Sequence, residues 1–195
     1  TVSATAELEN IFYDFKEKTN AKIYFFTNEI LASGGYWIAT SADKIFASYG
    51  SIIGSIGVSG PSWFYYDTPV SFSTGILGQS IETKKGIKVF NQNAGQGKDL
   101  FNPYRLPDNK EIAHLQSIVD EVYEDFITKV AKSRKIDLLF VKNNIGALIY
   151  SGNQAKNNFL IDGVLNYETL IKFILKENKF ENYKIYKNKS SKNIF

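Results

Sequence analysis

The sequence predicts an α/β fold, because helix-like and strand-like patterns alternate along its 195 residues. Residues 4–19 carry apolar side chains at helical spacing, and Ser3 stands where the N-cap of that helix is expected. Residues 21–26 (AKIYFF) then form an apolar run of strand length, as in a buried parallel strand. A hydrophobic content of 44% is enough for one well-buried domain. The predicted buried face of the first helix consists of Leu8, Ile11, Phe12 and Phe15.

The same alternation continues along the chain, with a glycine-rich segment and a long loop in the middle. Glycines within residues 49–60 indicate a strand that is interrupted by close backbone approaches. Residues 61–80 are predicted to form a loosely structured segment that is rich in aromatic side chains. Residues 84–107 are predicted to form a loop that is long enough to be functional or mobile. The other predicted elements are a short helix over 34–42, a strand over 44–48, a long helix from Asp108 or Asn109 to about 133, a turn and short helix over 150–158, a strand over 160–164 and a helix over 167–176.

Cysteine is absent from the sequence, and its absence excludes several kinds of chemistry. A disulfide framework, a thiol nucleophile and a cysteine-based zinc site are all ruled out. No segment approaches the roughly 20 apolar residues of a membrane span, and residues 1–20 lack the basic start and apolar middle of a signal peptide. We therefore expect a soluble chain as given. Its abrupt start in a helix predicts that an upstream portion is missing.

The charge is unevenly distributed, although the net charge is only +3. Residues 172–195 contain seven lysines against Glu177 and Glu181, so this segment carries +5 and the remainder of the chain −2. Such a segment is typical of a solvated surface strand and tail. Attraction to an anionic membrane surface is the alternative interpretation.

Ser33, followed at once by Gly34 and Gly35, is the leading candidate for a reactive residue. It ends an apolar run and begins a predicted helix, so we expect its hydroxyl to be presented rather than buried. The N–H groups of the two glycines are then unpaired donors of a helix start, where negative charge is favoured. The alternative is that Ser33 only caps the helix and that the glycines only allow tight packing.

A serine nucleophile needs a base, and the available residue types limit the choice. His114 is the one histidine, and it lies inside the predicted long helix beside the core position Leu115, which argues against a Ser-His-Asp triad. A lysine can replace histidine, but its ordinary pKa of about 10.4 leaves it almost fully protonated at pH 7. A lysine base therefore has to be buried.

Six short motifs occur in a fixed order along the sequence: ASGGYWIA at 32–39, ADKI at 42–45, GSIGV at 54–58, GKD at 97–99 with Pro103, YSG at 150–152 and LIDG at 160–163. Together they resemble the signal peptide peptidase A family, the S49 serine-lysine peptidases. The resemblance covers about residues 3–175, and the predicted helix over 122–134 is similar to the helix that follows the family's lysine. The resemblance implies a ClpP/crotonase-like fold of repeated β-β-α units, N-terminally truncated, with a catalytic domain over residues 1–177 and a basic strand or tail over 178–195.

The resemblance also implies roles for particular residues. Ser33 would be the nucleophile, Lys98 the general base, Ser55 the hydroxyl that orients the lysine amine, and the Gly34 N–H an oxyanion donor. No cofactor and no metal are implied. The stretch from Ser33 to Lys98 is longer than the family pattern, so other lysines stay open as the base. They are Lys84, Lys85 and Lys88.

The activity implied by the resemblance is that of a serine endopeptidase degrading apolar peptides, such as released signal peptides, at the cell membrane. The implied partners are peptide substrates, further copies of the chain in a homo-oligomer, and a membrane reached through an upstream anchor, with the catalytic domain on the extracytoplasmic side. No nucleic-acid partner is expected. The alternatives are a catalytically inactive S49-like assembly or binding module and a crotonase-type acyl-CoA enzyme of the same fold.

Overall fold

The computed structural model divides the chain into two compact units. One unit comprises the described parts of Thr1–Ile56 and Ile127–Phe195, and the other comprises the described parts of Gly57–Phe126. The residues that the structure describes are 2–66, 73–75, 78–80, 92–95 and 97–186.

Helices and strands alternate along the described chain, as the sequence predicts. The helices are α1 (Val2–Thr19), α2 (Gly34–Ala39), α3 (Asn109–Arg134), α4 (Leu138–Phe140) with a π-helical turn over Val141–Ile145, α5 (Gly152–Asn157) and α6 (Tyr167–Glu177). The strands are β1 (Tyr24–Thr27), β2 (Ile30–Ala32), β3 (Lys44–Ala47), β4 (Ile52–Gly54), β5 (Ser73–Gly75), β6 (Gly78–Ser80), β7 (Ile149–Ser151) and β8 (Gly163–Val164).

The first unit contains two small three-stranded sheets, and the two strands of each β-β-α repeat lie in different sheets. The first repeat is β1, β2 and α2, and β3 and β4 are the strands of the second. β1 pairs in parallel with β3, and β2 pairs in parallel with β4, so each repeat gives one strand to each sheet. β8 extends the first sheet in parallel, and β7 extends the second in antiparallel orientation. This arrangement confirms the predicted α/β fold of repeated β-β-α units.

The core of the first unit is apolar and contains one fully buried tyrosine. Tyr36 on α2 is 0% exposed, and its hydroxyl donates a 2.6 Å hydrogen bond to the backbone oxygen of Leu160. Burial raises the pKa of Tyr36, so the hydroxyl stays protonated and remains a donor. The other buried apolar residues of this unit are Leu31, Trp37, Ala39, Ile45, Phe46, Ala47, Ile53, Ile56, Ile127, Val130, Val141, Ile145, Ala155, Leu160, Ile161 and Leu170.

The start of α1 differs from the sequence prediction. The helix already includes Val2, so Ser3 lies within it and the prediction of an N-cap at Ser3 is wrong. An N-cap residue has to precede the first helical residue, because only there is its side chain placed to accept from the next free N–H groups.

The buried face of α1 also differs from the predicted apolar face. Leu8, Ile11 and Phe15 are 42%, 54% and 48% exposed, whereas the buried residues are Thr5 and Glu9. These two residues lie four apart, on a different side of the helix from the apolar triplet. The side of α1 that carries Thr5 and Glu9 faces the core, because these two residues contact specific partners on α2 and α3.

Most other predicted elements are confirmed with small shifts at their ends. β3, α3, α5 and α6 lie where the sequence predicts them, and Asp108 caps α3 by accepting from the N–H of Glu111 at 2.8 Å. β8 is shorter than predicted, because Leu160 and Ile161 belong to the turn before the strand, where both side chains are buried. β2 and α4 are elements without a sequence prediction, because an apolar run of three residues carries no readable period.

The described end of the chain agrees with a solvated tail. Residues 179–186 are exposed and belong to no helix or strand. The remaining lysines of the basic segment, Lys187, Lys189 and Lys192, lie outside the described residues. The division into a domain over 1–177 and a tail over 178–195 stays a prediction.

Tyr36→Phe tests the buried hydrogen bond of the core. Removing the hydroxyl leaves the carbonyl of Leu160 without this donor, so the free energy of unfolding should fall by about 1–3 kcal/mol. Urea denaturation measures the change, and Tyr49→Phe is the matched control because Tyr49 is 86% exposed. Equal effects of the two substitutions would contradict this account of the core.

Candidate active site

Ser33 occupies a strained turn between a strand and a helix. It directly follows β2 and directly precedes α2, and its backbone angles are φ 52° and ψ −129°. A positive φ is uncommon for a residue with a side chain and costs energy that the surrounding structure must supply. Ser33 is exposed, and although it stands at the N-cap position its side chain makes no capping hydrogen bond. Its hydroxyl is therefore presented at the surface instead of serving the helix.

Ser55 lies beside Ser33 because the strands that precede them are neighbours. Ala32 at the end of β2 is paired with Gly54 at the end of β4, and each serine is the next residue along its strand. The Ser33 N–H donates to the oxygen of Gly54 at 2.9 Å, which continues the ladder past the last paired residues. Ser55 is half-buried and also has a positive φ, of 50°. Two serines in unusual backbone conformations thus meet at one edge of the sheet.

Gly54 is required where these strands come together. Its φ is +119°, and a Cβ at this position would lie 2.6 Å from the backbone oxygen of Leu148. Ser55 N–H donates to that same oxygen at 2.8 Å. The segment before β7 therefore holds the end of β4 through its backbone, and it leaves no room for a side chain.

Gly34 brings α1 close to the start of α2. A Cβ on Gly34 would lie 2.8 Å from the Oγ1 atom of the buried Thr5, whereas a Cβ on Gly35 would have no atom within 4 Å. Gly34 is the first residue of α2, so its N–H has no acceptor within the helix. The residue that follows Ser33 thus has a free helix-start donor, and its role as an oxyanion donor stays a prediction.

A buried carboxylate fixes α1 against the helix that follows Ser33. The Glu9 side chain is 3% exposed, and its Oε2 atom accepts from Trp37 Nε1 at 3.2 Å and from Lys129 Nζ at 2.7 Å. The Lys129 amine also lies 5.7 Å from the centre of the Trp37 ring. Burial, followed by the charge of Glu9, raises the pKa of Tyr13 on the same helix. A buried charge needs such partners, and here they join α1, α2 and α3.

Lys98 belongs to the second compact unit. It is exposed and lies in a turn, in which its N–H donates to the oxygen of Gly95 at 3.3 Å. The first unit brings Ser33, Gly34 and Ser55 together, whereas the pairing of Ser33 with Lys98 stays a prediction. The alternative bases Lys84, Lys85 and Lys88 lie outside the described residues.

Arg105 organises the turn that carries Lys98. Its guanidinium contacts Asp99 at 2.7 Å and Glu111 at 2.6 Å. Hydrogen bonds from Arg105 hold the pKa of Asp99 and of Glu111 below their ordinary values, and the two carboxylates raise the pKa of Arg105. Sequence reasoning did not identify Arg105, Glu9 or Thr5. The available signal for this ion-pair network was the sequence spacing, because Asp99 lies six residues before Arg105 and Glu111 lies six residues after it.

Neither a metal-ligand group nor a membrane-spanning helix is found among the described residues. Among those residues no group of three or more histidine, cysteine, aspartate or glutamate side chains is arranged to hold a metal ion. His114 is exposed on α3, as its position in the sequence suggests. None of the helices in the described ranges is both long enough and apolar enough to span a membrane.

Comparisons with known proteins identify relatives among peptidases. Residues 16–181 match the model of peptidase family S49. A protein of Enterococcus faecium provisionally named signal peptide peptidase SppA is 32% identical over 163 residues, which are 84% of this chain and 44% of that protein. A protein of Methanocaldococcus jannaschii provisionally named a protease is 34% identical over 141 residues, which are 72% of this chain and 41% of that protein. The chain thus spans less than half the length of these curated relatives.

A likeness is also found among solved structures. A membrane-bound stomatin-specific protease aligns with a TM-score of 0.49 and 13% identity, over 88% of this chain and 62% of that one.

Gly34→Ala tests the close approach of α1 to the serine turn. The added methyl group meets Thr5, so the free energy of unfolding should fall by about 1–3 kcal/mol. Gly35→Ala is the matched control, because its Cβ has open space. Combining Gly34→Ala with Thr5→Ala should recover part of the loss in a double-mutant cycle measured by urea denaturation. Strict additivity of the two substitutions would rule out the contact.

The ion pairs of Arg105 predict a pH dependence. Because the folded-state pKa values of Asp99 and Glu111 are lowered, the stability they contribute is complete above the ordinary values of 3.8 and 4.5 and is lost as the pH falls through the lowered ones. In an NMR titration, Arg105→Gln should raise both carboxyl pKa values. Glu177, whose pKa is lowered by Lys44, is the internal control and should not change. Unaltered titration of Asp99 and Glu111 would contradict the assignment.

Proposed function

Because the chain belongs to peptidase family S49, we propose that it is the catalytic part of a serine endopeptidase with Ser33 as the nucleophile. The observation that carries this proposal is the backbone of Ser33, which is strained, exposed and free of any capping hydrogen bond. A serine at a strained strand-to-helix turn is one of the recognised ways in which a hydrolase presents its nucleophile. The strain is explained if this turn is functional.

The proposed first step forms an acyl-enzyme. The Lys98 amine takes the proton of the Ser33 hydroxyl while Oγ attacks the carbonyl carbon of a peptide bond. The Gly34 N–H donates to the carbonyl oxygen as it becomes negative. The carbon–nitrogen bond then breaks, and the lysine ammonium gives its proton to the leaving amine. Water activated by the same lysine hydrolyses the ester and restores Ser33.

Ser55 is proposed to orient the lysine amine. Its position beside Ser33 supports this role, because a hydroxyl there can accept from an amine that also reaches the Ser33 Oγ atom. Lys98 is exposed in its own unit, so its amine has to be desolvated in the working enzyme to act as a base at neutral pH. Assembly into a homo-oligomer, in which a further copy of the chain covers the site, is the proposed source of that burial.

The proposed substrates are apolar peptides, such as signal peptides that have been released at a membrane. The name of the Enterococcus relative, a signal peptide peptidase, supports this class. The proposed location is the extracytoplasmic side of the cell membrane, with attachment through an upstream anchor in the whole protein. The chemistry proposed for Ser33 and Lys98 requires no cofactor and no metal.

Labelling with a fluorophosphonate, which reacts with activated serines, tests the nucleophile directly. The parent protein should be labelled at Ser33 as mapped by mass spectrometry, and Ser33→Ala should abolish both labelling and peptide cleavage. Ser59→Ala is the matched control, because Ser59 is exposed and has no role in the proposed mechanism. Undiminished labelling of Ser33→Ala would contradict the assignment of Ser33 as the nucleophile.

Alanine substitution of each candidate lysine identifies the base in the same assay. Lys98→Ala should lower kcat by about 10²–10⁴-fold, the usual contribution of a general base. Lys84→Ala, Lys85→Ala and Lys88→Ala should each retain parental kcat. If one of these three is inactive while Lys98→Ala is active, the base is misassigned although the serine mechanism stands. A folded parent oligomer that neither labels nor cleaves peptides would favour the noncatalytic assembly module instead.

A further inference from the structure

The side chain of Arg105 is held by two carboxylates at once. Its Nε and Nη2 atoms donate to the two oxygens of Asp99 at 2.7 and 2.9 Å. Its Nη1 and Nη2 atoms donate to the two oxygens of Glu111 at 2.8 and 2.6 Å. Both contacts are bidentate, and this geometry is available to the planar guanidinium fork but not to an ammonium group.

One end of this network is attached to the proposed base. Asp99 is the residue directly after Lys98, and its backbone oxygen accepts from the N–H of Asn102 at 3.1 Å within the same turn. The Leu100 N–H donates to the oxygen of Gly97 at 3.1 Å, so the turn closes on both sides of the lysine. Fixing the Asp99 side chain therefore restrains the backbone from which the Lys98 side chain extends.

The other end is attached to a long helix. Glu111 and Asp108 form reciprocal hydrogen bonds at the start of α3, with Asp108 Oδ1 accepting from the Glu111 N–H at 2.8 Å and Glu111 Oε2 accepting from the Asp108 N–H at 3.0 Å. This capping box gives the Glu111 carboxylate a fixed place. Arg105 thus links a turn to a rigid element instead of joining two mobile side chains.

An aromatic residue holds the network from a third direction. The Arg105 guanidinium lies 5.1 Å from the centre of the Trp63 ring, within the range of a cation–π contact. The Trp63 Nε1 atom donates to the backbone oxygen of Asn102 at 3.0 Å, and its ring packs against Phe101 at 5.4 Å. Trp63 therefore contacts the lysine-bearing turn in three ways: through the side chain of Phe101, through the backbone of Asn102 and through Arg105.

We propose that Arg105 is a positioning residue for the general base, locking the turn that carries Lys98 to the start of α3. The inference rests on the proposed function, because Arg105 can position a general base only if Lys98 is that base. Positioning matters for a base because misplacement by about 1 Å can cost about 10²-fold in rate. Arg105 touches neither substrate nor reacting atoms in this account.

The test compares Arg105→Lys, which keeps the charge but loses the fork, with the parent in the full-length protein. Peptide cleavage should show kcat lowered about ten- to a hundredfold with KM within about twofold, since the base is displaced while the substrate still binds. Asp99→Asn and Glu111→Gln should give smaller losses in the same direction. Amide hydrogen exchange should accelerate in residues 97–105 and stay parental in β2 and α2.

Arg134→Lys is the matched control for the general loss of an arginine–carboxylate pair. Arg134 donates to Asp162 at 2.9 Å in the first unit, away from the lysine turn in sequence. It should leave kcat and KM parental, whatever it does to the unfolding midpoint. If Arg134→Lys lowers kcat as much as Arg105→Lys does, the effect is one of stability and the inference is overturned.

A double substitution separates positioning from structure. In a Lys98→Ala background, Arg105→Lys should cause no further fall in kcat, because the group that it positions has gone. A further fall of tenfold or more would assign Arg105 a role other than positioning Lys98. Parental kcat in Arg105→Lys, with Lys98→Ala inactive, overturns this inference alone. Activity in Lys98→Ala overturns the proposed base itself.

Discussion

The parallel pairing of β2 with β4 is the constraint on which the candidate site depends. These are strands of only three residues, yet their register places Ala32 opposite Gly54 and thereby sets Ser33 beside Ser55. The hydrogen bond from Ser33 N–H to Gly54 O at 2.9 Å continues the pairing into the turn. A one-residue slip of β2 against β4 would reverse the faces of the residues in the slipped strand and would separate Ser33 from Ser55. The backbone of Leu148, against which Gly54 packs, stabilises the correct register.

A second constraint is the polar face that α1 turns toward α2. Thr5 fits against Gly34, and Glu9 binds Trp37 and Lys129, so the helix is located by specific contacts more than by apolar burial. A buried carboxylate is costly unless it is paired, and its pairing also selects one orientation of the helix. Strain at Ser33 persists because the elements on both sides of the turn are held in this way.

Prediction from sequence succeeded where a pattern is local. The 26 residues of α3 repeat the helical period many times, and its cap at Asp108 follows from the residue types at its start. Prediction of α1 as a helix succeeded, but prediction of its buried face failed. Leu8, Ile11 and Phe15 have the right spacing but lie exposed, because the partners of Thr5 and Glu9 come from distant parts of the chain. The strand β2 is too short for any period to identify it, although Ser33 directly follows it.

The sequence by itself determined the chemical alternatives for this protein. A serine before two glycines, no cysteine and one histidine within a helix leave few routes to a nucleophile and its base, and the residue types alone decide this. Only the tertiary structure decided that Ser33 is strained and uncapped, that Ser55 is its neighbour, and that Arg105 joins Asp99 to Glu111. Backbone strain and long-range pairing depend on how separate segments pack, and spacing along one chain does not specify that packing.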